Sequence, residues 1–448
     1  MNIRITVSSA LAVLFLSSTL LRAQAPIESI TKAELKDHIF FLASDYLNGR
    51  VGPSAEYEIA AQYVATQFAA AGIEPLIIND DSSKSYFQGV PFAKTTYGDS
   101  FTWTVNNKGK ETVLQHMDDF KSLYINQTGY DNLEVVWAGY GIEEPDHNWN
   151  DFEDLDTRGK IIICTNGAPL KNGKPVLPEE VHQKYAGPSG LQSRVMHLMQ
   201  KGAAGIILTD IEGSSGMSFE MVPGEFAKEK YVYRGDKKRN RAASVPSVFL
   251  VKPEFMESVM AGNRNNPVNN PDNILSNYKP QLLKGVSLSS QINILSEELI
   301  ETKNVAGIVP GTDPLLKDEY IIVGAHLDHV KPVNGQVCNG ADDNASGSAG
   351  VIEIAEALAI NPCKRSVVFI TYTAEEMGLE GSRHFVGSDV LPPEKIKFNL
   401  NMDMIGRSSP ANRESRAHYV VSDKKYIDQI ENFINELNNE VPDFPLIF

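Results

Sequence analysis

The sequence predicts an α/β fold in which a mixed, mostly parallel sheet is flanked by helices and interrupted by an inserted β-rich domain. Three short apolar runs in the second half of the chain carry this prediction: residues 320–325, 366–374 and 396–402. Such β-branched, almost continuous runs are typical of strands buried on both faces of a sheet. Each run is followed by acidic residues or a histidine. Because ligands bind beyond the carboxyl ends of strands in such sheets, the same runs also predict the functional site.

The length and charge of the chain limit what it can be. Its 448 residues exceed one typical domain, so two or three compact units are expected. With 42% hydrophobic and 22% charged residues, the composition is that of an ordinary globular protein. The formal net charge of −16 argues against nucleic acid and anionic membrane surfaces as partners, because the Coulomb interaction has the wrong sign.

Residues 1–25 have the features of a secretory signal peptide. Arg4 precedes an apolar stretch over 5–21, and Ala23 and Ala25 mark candidate cleavage sites. A membrane anchor is the alternative, but about 16 apolar residues is short for a bilayer, which needs ~20. We therefore predict a periplasmic or secreted protein without stable membrane insertion. The three cysteines are too few for a disulfide framework.

The region 26–92 is predicted to be helical and to pack on the sheet. Residues 32–43 and 57–71 show apolar side chains at helical spacing, and Gly72 ends the second helix. The segment 44–50 between them is a turn-rich link. These helices and the later sheet, over 288–448, are interpreted as two pieces of one domain.

The region 93–287 is predicted to be an inserted domain with a core over about 130–280. Short strands are expected at 133–137, 160–164, 205–209 and 245–251, and a helix at 191–201. So long a stretch cannot be a loop inside a compact domain, so it needs its own core. It could form a wall or lid that limits substrate size, or be a passive structural insertion.

The first polar group follows the strand at 320–325. His326 and Asp328 point to the same face, since strand positions i and i+2 do so. A carboxylate beside a histidine is a common partner of a metal-bound imidazole. Downstream, the glycine-rich turn 340–347 contains Asp342 and Asp343. Helix capping would explain one aspartate there, but with the other acids a carboxylate that bridges two cations is the better interpretation.

The pair Glu375–Glu376 follows the second apolar run, where an unpaired charge would be costly. Neighbouring residues near a strand end point in roughly opposite directions, so one carboxylate can bind a metal while the other faces a water molecule. This division supplies a Lewis acid and a general base for hydrolysis. Asp403, after the third run, completes the set. Oxygen ligands with at least one imidazole suit Zn²⁺, and less exclusively Mn²⁺ or Co²⁺.

Four motifs in order resemble those of the co-catalytic zinc aminopeptidase family, which also contains glutamate carboxypeptidases and glutaminyl cyclases. They are His326-Leu327-Asp328, the turn 340–347, Ala374-Glu375-Glu376-Met377-Gly378-Leu379 and Asn401-Met402-Asp403-Met404. The segment 41–50 resembles the N-terminal piece of these enzymes, and parts of the insert resemble a protease-associated domain. The resemblance implies the zinc aminopeptidase/phosphorylase-like sandwich as the fold.

The resemblance also implies roles for these residues. His326, Asp343 and Asp403 would hold one zinc, and Asp343 would bridge to a second zinc bound by Glu376. Glu375 would be the general base, and Asp328 would orient His326. In the family the second zinc also takes a histidine from far downstream of the third motif. Here only His418 follows, without the expected context, so the chain is expected to be C-terminally truncated, with substitution by His418 as the alternative.

The predicted function is that of an exported zinc exopeptidase that removes N-terminal residues from peptides by metal-activated water. A carboxypeptidase acting on acidic peptides is one alternative and would need basic residues in its substrate pocket. A catalytically impaired binding protein on the same scaffold is another. Peptides are the expected partners, whereas the residue preference and the oligomeric state are left open.

Overall fold

The computed structural model describes residues 26–125, 129–186, 190–210, 219–222, 229–235, 246–261, 275, 279–333, 335–408, 418–422, 424–440 and 446–447. The predicted signal peptide lies outside them. The chain forms two compact units. The discontinuous unit joins the chain up to Phe92 with the chain from Ile300, and the inserted unit is Ala93–Leu299.

The helices and strands are as follows. The helices are α1 (Pro26–Ser29), α2 (Lys32–Leu42), α3 (Ala55–Ala70), α4 (Glu179–Ala186), α5 (Gly190–Gln200), α6 (Phe255–Met260), α7 (Gly347–Ile360), α8 (Glu380–Val386) and α9 (Ile427–Glu440). The first strands are β1 (Glu74–Pro75), β2 (Ile77–Ile78), β3 (Lys84–Ser85), β4 (Phe87–Asn107), β5 (Lys110–Gln115), β6 (Phe120–Tyr124), β7 (Gly129–Trp137), β8 (Glu143–Glu144), β9 (Trp149–Asn150) and β10 (Ile161–Thr165). The later strands are β11 (Leu170–Lys171), β12 (Lys174–Pro175), β13 (Gly205–Thr209), β14 (Glu229–Tyr233), β15 (Ser247–Val251), β16 (Gln281–Val309), β17 (Tyr320–His326), β18 (Ser366–Tyr372), β19 (Ile396–Asn401), β20 (His418–Tyr419) and β21 (Leu446–Ile447).

The discontinuous unit contains a mixed sheet with the strand order β19-β17-β18-β16-β1. Strand β17 is parallel to both of its neighbours, whereas β16 is antiparallel to β18 and to β1. Alternate strand residues face opposite sides. Val323 and Phe369 pack with helices α3 and α7, and Ile322 and Val368 pack on the other face with Phe385 of α8. The predicted α/β fold is therefore confirmed.

The sequence predicted that the third apolar run forms a strand buried on both faces, but the structure shows an exposed strand there. Phe398 and Leu400 of β19 are 46% and 41% exposed. Among the described strands β19 pairs only with β17, so it is an edge strand. Apolar composition cannot distinguish an edge strand from a central one, because both require β-forming residues.

The inserted unit has its own parallel strands, β7, β10, β13 and β15 in that order, with β6 and part of β16 antiparallel at the sides. Its core contains the buried aromatic residues Trp103, Phe120, Trp137 and Phe249. The sequence predicted an end at residue 287, but the unit runs to Leu299. Strand β16 runs through both 287 and Leu299, so neither position coincides with the end of a strand. Within the described residues, no helix is long and apolar enough to span a bilayer.

Candidate metal centre

Three parallel strands of the discontinuous unit end at one edge of its sheet, and the predicted site residues follow them. His326 is the last residue of β17 and pairs with Tyr372, the last residue of β18. Glu375 and Glu376 come after β18, and Asp403 comes after β19. Because parallel strands in register end together, side chains far apart in the sequence meet at this edge.

The first group of candidate ligand atoms surrounds Nε2 of His326. This nitrogen lies 3.2 Å from Oδ1 of Asp343 and 3.3 Å from Oδ1 of Asp403. The other ring nitrogen, Nδ1, donates to the main-chain carbonyl of Asp328 at 3.0 Å. A carbonyl can only accept a hydrogen bond, so Nδ1 carries a proton and Nε2 is left to face the acids.

A second group involves a histidine that the sequence analysis did not identify. Nδ1 of His329 lies 2.8 Å from Oε1 of Glu376 and 3.8 Å from Oδ2 of Asp343. The two oxygens of Asp343 therefore belong to different groups, so one carboxylate serves both. The sequence itself offers a signal for His329, because this residue directly follows Asp328 at the end of the strand that carries His326.

The two groups fit a divalent cation by donor chemistry and by spacing. The ligand atoms of each group lie within 4.8 Å of one another. A tetrahedral Zn²⁺ with bonds of about 2.0–2.1 Å separates its ligand atoms by about 3.3 Å, and the distances around His326 are close to this value. Imidazole nitrogen combined with carboxylate oxygen suits Zn²⁺, as predicted.

The loop before α7 holds Asp343 in place. The peptide bond between Asp343 and Asn344 is cis, and the Asn344 side chain is fully buried. Its amide donates to the carbonyl of Met402 at 2.9 Å, and its Oδ1 accepts from the backbone N–H of Gly347. These bonds tie the loop to the residue before Asp403.

The neighbouring aspartate has a different role. Asp342 accepts hydrogen bonds from the backbone N–H of Gly406 and from Nε of Arg407, both at 2.8 Å. The two aspartates of the turn therefore have different partners. Asp343 faces the histidines, and Asp342 secures the segment that follows Asp403.

Asp328 is buried and contacts the turn after β18. Its carboxylate accepts from the backbone N–H groups of Glu375 at 3.0 Å and Glu376 at 3.3 Å. Its Oδ1 lies 3.9 Å from Nδ1 of His326, so its carbonyl, rather than the predicted carboxylate, makes the hydrogen bond to the imidazole. Burial raises the pKa of Asp328 to about 7, although the two N–H donors oppose this shift.

The two glutamates face different surroundings. Glu376 contacts His329, whereas Glu375 lines a cavity of about 440 Å³ together with His326 and Asp403. Burial raises the pKa of Glu375, and the charge of His326 opposes the shift. Most other residues that line the cavity are apolar: Ile322, Tyr372, Leu379, Phe385, Val386, Leu391, Pro393 and Ile396.

The acids also change the protonation of His326. Burial by itself would lower its pKa, but the hydrogen bond to Asp403 and the charge of Asp328 raise that pKa to about 9. The same hydrogen bond lowers the pKa of Asp403. Without a cation, a proton therefore occupies the position between the imidazole and the acids. The side chain of His418, the alternative ligand considered above, lies outside the described residues.

Part of the chain is similar to known peptidases. Residues 304–442 match the model described as Peptidase family M28. Leucine aminopeptidase 2 of Trichophyton rubrum is 36% identical over 123 residues, which is 27% of this chain and 23% of that protein. Aminopeptidase YwaD of Bacillus subtilis (strain 168) is 34% identical over 110 residues, which is 24% of this chain and 22% of that protein. The match thus spans about a quarter of the length of these relatives.

Solved structures of similar proteins include a zinc aminopeptidase from Bacillus subtilis. It is 17% identical with a TM-score of 0.45, and the alignment covers 92% of this chain and 79% of that chain. A peptidase M28 precursor from Shewanella amazonensis SB2B is 15% identical with a TM-score of 0.45, and 94% of this chain and 80% of that chain are covered.

Proposed function

We propose that this protein is an exported, zinc-dependent aminopeptidase that removes residues from the N-terminus of peptides. The match of residues 304–442 to the model described as Peptidase family M28 supports this proposal. The observation that carries the proposal is the Asp343 carboxylate, whose two oxygens face two different histidines beside Glu375. The names of the relatives, leucine aminopeptidase and aminopeptidase, support the same activity.

The ligand atoms present fit two zinc ions. His326 and Asp403 would hold one ion, His329 and Glu376 would hold the other, and Asp343 would bridge the two. This assignment adds His329 to the ligands predicted from the sequence. When bound, the ions supply a Lewis acid that polarises the scissile carbonyl and makes water more acidic.

The chain's own residues handle the proton. We assign Glu375 as the general base that takes the proton from the attacking water and gives it to the leaving amine. Its raised pKa favours both transfers, because a base works best when its pKa approaches the working pH. The Asp328 carboxylate would hold the glutamate turn in place through its two N–H bonds. The backbone carbonyl of Asp328 would keep Nε2 of His326 turned towards the ligand position.

The cavity beside Glu375 supports an apolar preference at the N-terminal residue of the substrate. Its described lining contains no lysine or arginine, and apolar side chains form most of its wall. A carboxypeptidase for acidic peptides would need basic groups there, so this lining favours the aminopeptidase. Cleavage of a leucine amide in preference to an aspartate amide is expected, and the reverse order would contradict the assignment of the cavity.

The proposal is tested by substituting the general base. Glu375→Gln should reduce kcat by ~10²–10⁴ while zinc binding is retained, because the residue moves a proton and holds no ion. The substrates are a leucine amide with a free amino group and the same compound with the amino group acetylated. Hydrolysis of the acetylated compound at an equal rate, or full activity of Glu375→Gln, would refute the proposal.

The second zinc ligand has its own test. Equilibrium dialysis should find two zinc ions per chain in the wild type and one in His329→Ala. The matched control is His384→Ala, a histidine on α8 that is not assigned as a ligand, which should keep both ions. Two tightly bound ions in His329→Ala would show that His329 only donates a hydrogen bond to Glu376. Export is tested separately by sequencing the mature N-terminus, expected near residue 24 or 26.

A further inference from the structure

Arg50 is a buried cation that the proposed mechanism does not use. Its side chain is fully buried, and its guanidinium donates only to main-chain carbonyls. Nε donates to Leu327 and Nη1 to Leu42 and Asn339, each at 2.7 Å, and Nη2 donates to Gly340 at 2.6 Å. No carboxylate of the described residues accepts one of these bonds. The arrangement needs the planar fork of an arginine, because lysine has a single nitrogen.

The carbonyls that accept these bonds belong to the segments that carry the candidate ligands. Leu327 stands between His326 and Asp328. Asn339 directly precedes the turn 340–347 that holds Asp343, and Gly340 is the first residue of that turn. One rigid group therefore spans the end of β17 and the loop before α7. The first candidate metal group needs its nitrogen from one of these segments and an oxygen from the other.

The backbone conformation of residues 48–50 places Arg50 beside these carbonyls. Asn48, Gly49 and Arg50 have φ angles of 45°, 83° and 43°, all in the left-handed region. That conformation is unfavourable for a long side chain such as arginine and persists only where the surroundings enforce it. A Cβ at Gly49 would lie 2.1 Å from the carbonyl oxygen of Val330, so the turn lies directly against the chain after β17.

The charge of Arg50 also matches its position. Burial lowers the pKa of Arg50 to about 10, and the negative charges of Asp328, Asp343 and Glu376 oppose this shift. The guanidinium remains a cation below that pH, among acids that repel one another when no metal is bound. A second link joins the same segments, since the amide of Asn339 donates to the carbonyl of Ala43 and to Oδ1 of Asp45.

We infer that Arg50 is a positioning residue for the metal centre. Its guanidinium holds the His326 segment and the Asp343 loop at the separation that a zinc ion requires. The inference rests on the proposed function and adds to it a residue that touches no metal. Outer-shell partners of metal ligands typically change metal affinity by about 10–100-fold when they are replaced. Loss of the fork should therefore weaken zinc binding by this factor.

The test compares two buried arginines of the full-length chain. Arg194, in the inserted unit, is also fully buried and donates to the carbonyl of Tyr140 and to Oδ1 of Asn166. Arg50→Lys and Arg194→Lys thus lose similar bonds, but only the first lies at the site. Zinc dissociation constants are measured by competition with a chromogenic chelator. The absorption spectrum of the Co²⁺-loaded protein reports changes in ligand geometry.

The expected result is a dissociation constant raised by about 10–100-fold in Arg50→Lys, with an altered Co²⁺ spectrum, and an unchanged constant in Arg194→Lys. Equal zinc affinity in wild type and Arg50→Lys would overturn the inference while leaving the proposed function intact. A wild type that binds no zinc would overturn both. If Arg50→Lys does not fold, the milder Asn339→Ala loosens the same junction. It should weaken zinc binding, and an unchanged affinity in that variant would overturn the inference as well.

Discussion

The zinc affinity of this protein should depend steeply on pH, because a proton and the cation compete for the same nitrogen. Nε2 of His326 faces Asp343 and Asp403, and the pKa of His326 in the metal-free protein is raised to about 9. Zinc binds only the unprotonated imidazole, so binding must release this proton. Below about pH 9 each unit of pH should change the apparent affinity by about tenfold. From about pH 6 to about pH 8 this amounts to roughly 100-fold tighter binding.

The same shift has a consequence for the stability of the metal-free protein. The pKa of His326 rises from 6.5 to about 9 on folding, so the folded state binds the proton more tightly than the unfolded state. The resulting stabilisation is fully present below about pH 6.5 and is lost as the pH rises through about 9. The size of this contribution is about 3 kcal/mol, and His326 is almost fully buried, so solvent screens it little. The pKa of Asp328 is raised to about 7, so its proton also stabilises the folded state, and this stabilisation is lost at a lower pH, as the pH rises through about 7.

Two measurements check this reasoning. Chelator competition at three pH values gives the slope of zinc affinity, after correction for the protons of the chelator. Urea unfolding of the zinc-free protein between about pH 7 and pH 9 separates the contribution of His326 to the pH dependence of stability from that of Asp328. His326→Gln should abolish most of the pH dependence of unfolding in this interval. Zinc affinity that is flat with pH, or identical unfolding profiles for wild type and His326→Gln, would refute the competition between proton and cation.

Three further substitutions test the surroundings of the site. Asp328→Asn replaces one of two acceptor oxygens by a donor that faces a backbone N–H, so we expect a loss of about 2–4 kcal/mol of unfolding free energy by urea titration. Unchanged stability would mean that the turn after β18 does not depend on this carboxylate. Gly49→Ala places a methyl group 2.1 Å from the Val330 carbonyl at a φ of 83° and should destabilise by at least about 1–3 kcal/mol, measured in the same way. A wild-type midpoint would show that the turn can move away. Asp342→Ala frees the segment after Asp403 and should weaken zinc binding about tenfold in chelator competition. Wild-type affinity would show that Asp403 is held by other contacts.

The strand ends of the site could be predicted from the chain alone. Apolar runs followed by His326, Glu375 and Asp403 require only local composition and the rule that parallel strands end at one edge. The structure brings these residues together with Asp343. Their predicted roles in binding zinc and moving a proton remain to be tested by the experiments above.

Other features could not be predicted because they depend on contacts between distant segments. His329 meets Glu376 only when β17 and β18 pair, and the order of residues along the chain does not show this contact. The exposure of β19 depends on which strands lie beside it, and this information is absent from its own residues.

By itself, the sequence determined the kinds of candidate ligand side chain, their order and the strands that they follow, because these come from residue chemistry and periodicity. Only the tertiary structure decided how each polar group is satisfied. The carboxylate of Asp328 holds the glutamate turn rather than the imidazole, and Arg50 crosses from a turn-rich link to the carbonyls beside the ligands. The physical reason is that buried donors and acceptors must find partners wherever the folded chain supplies them, and those partners lie far away in the sequence.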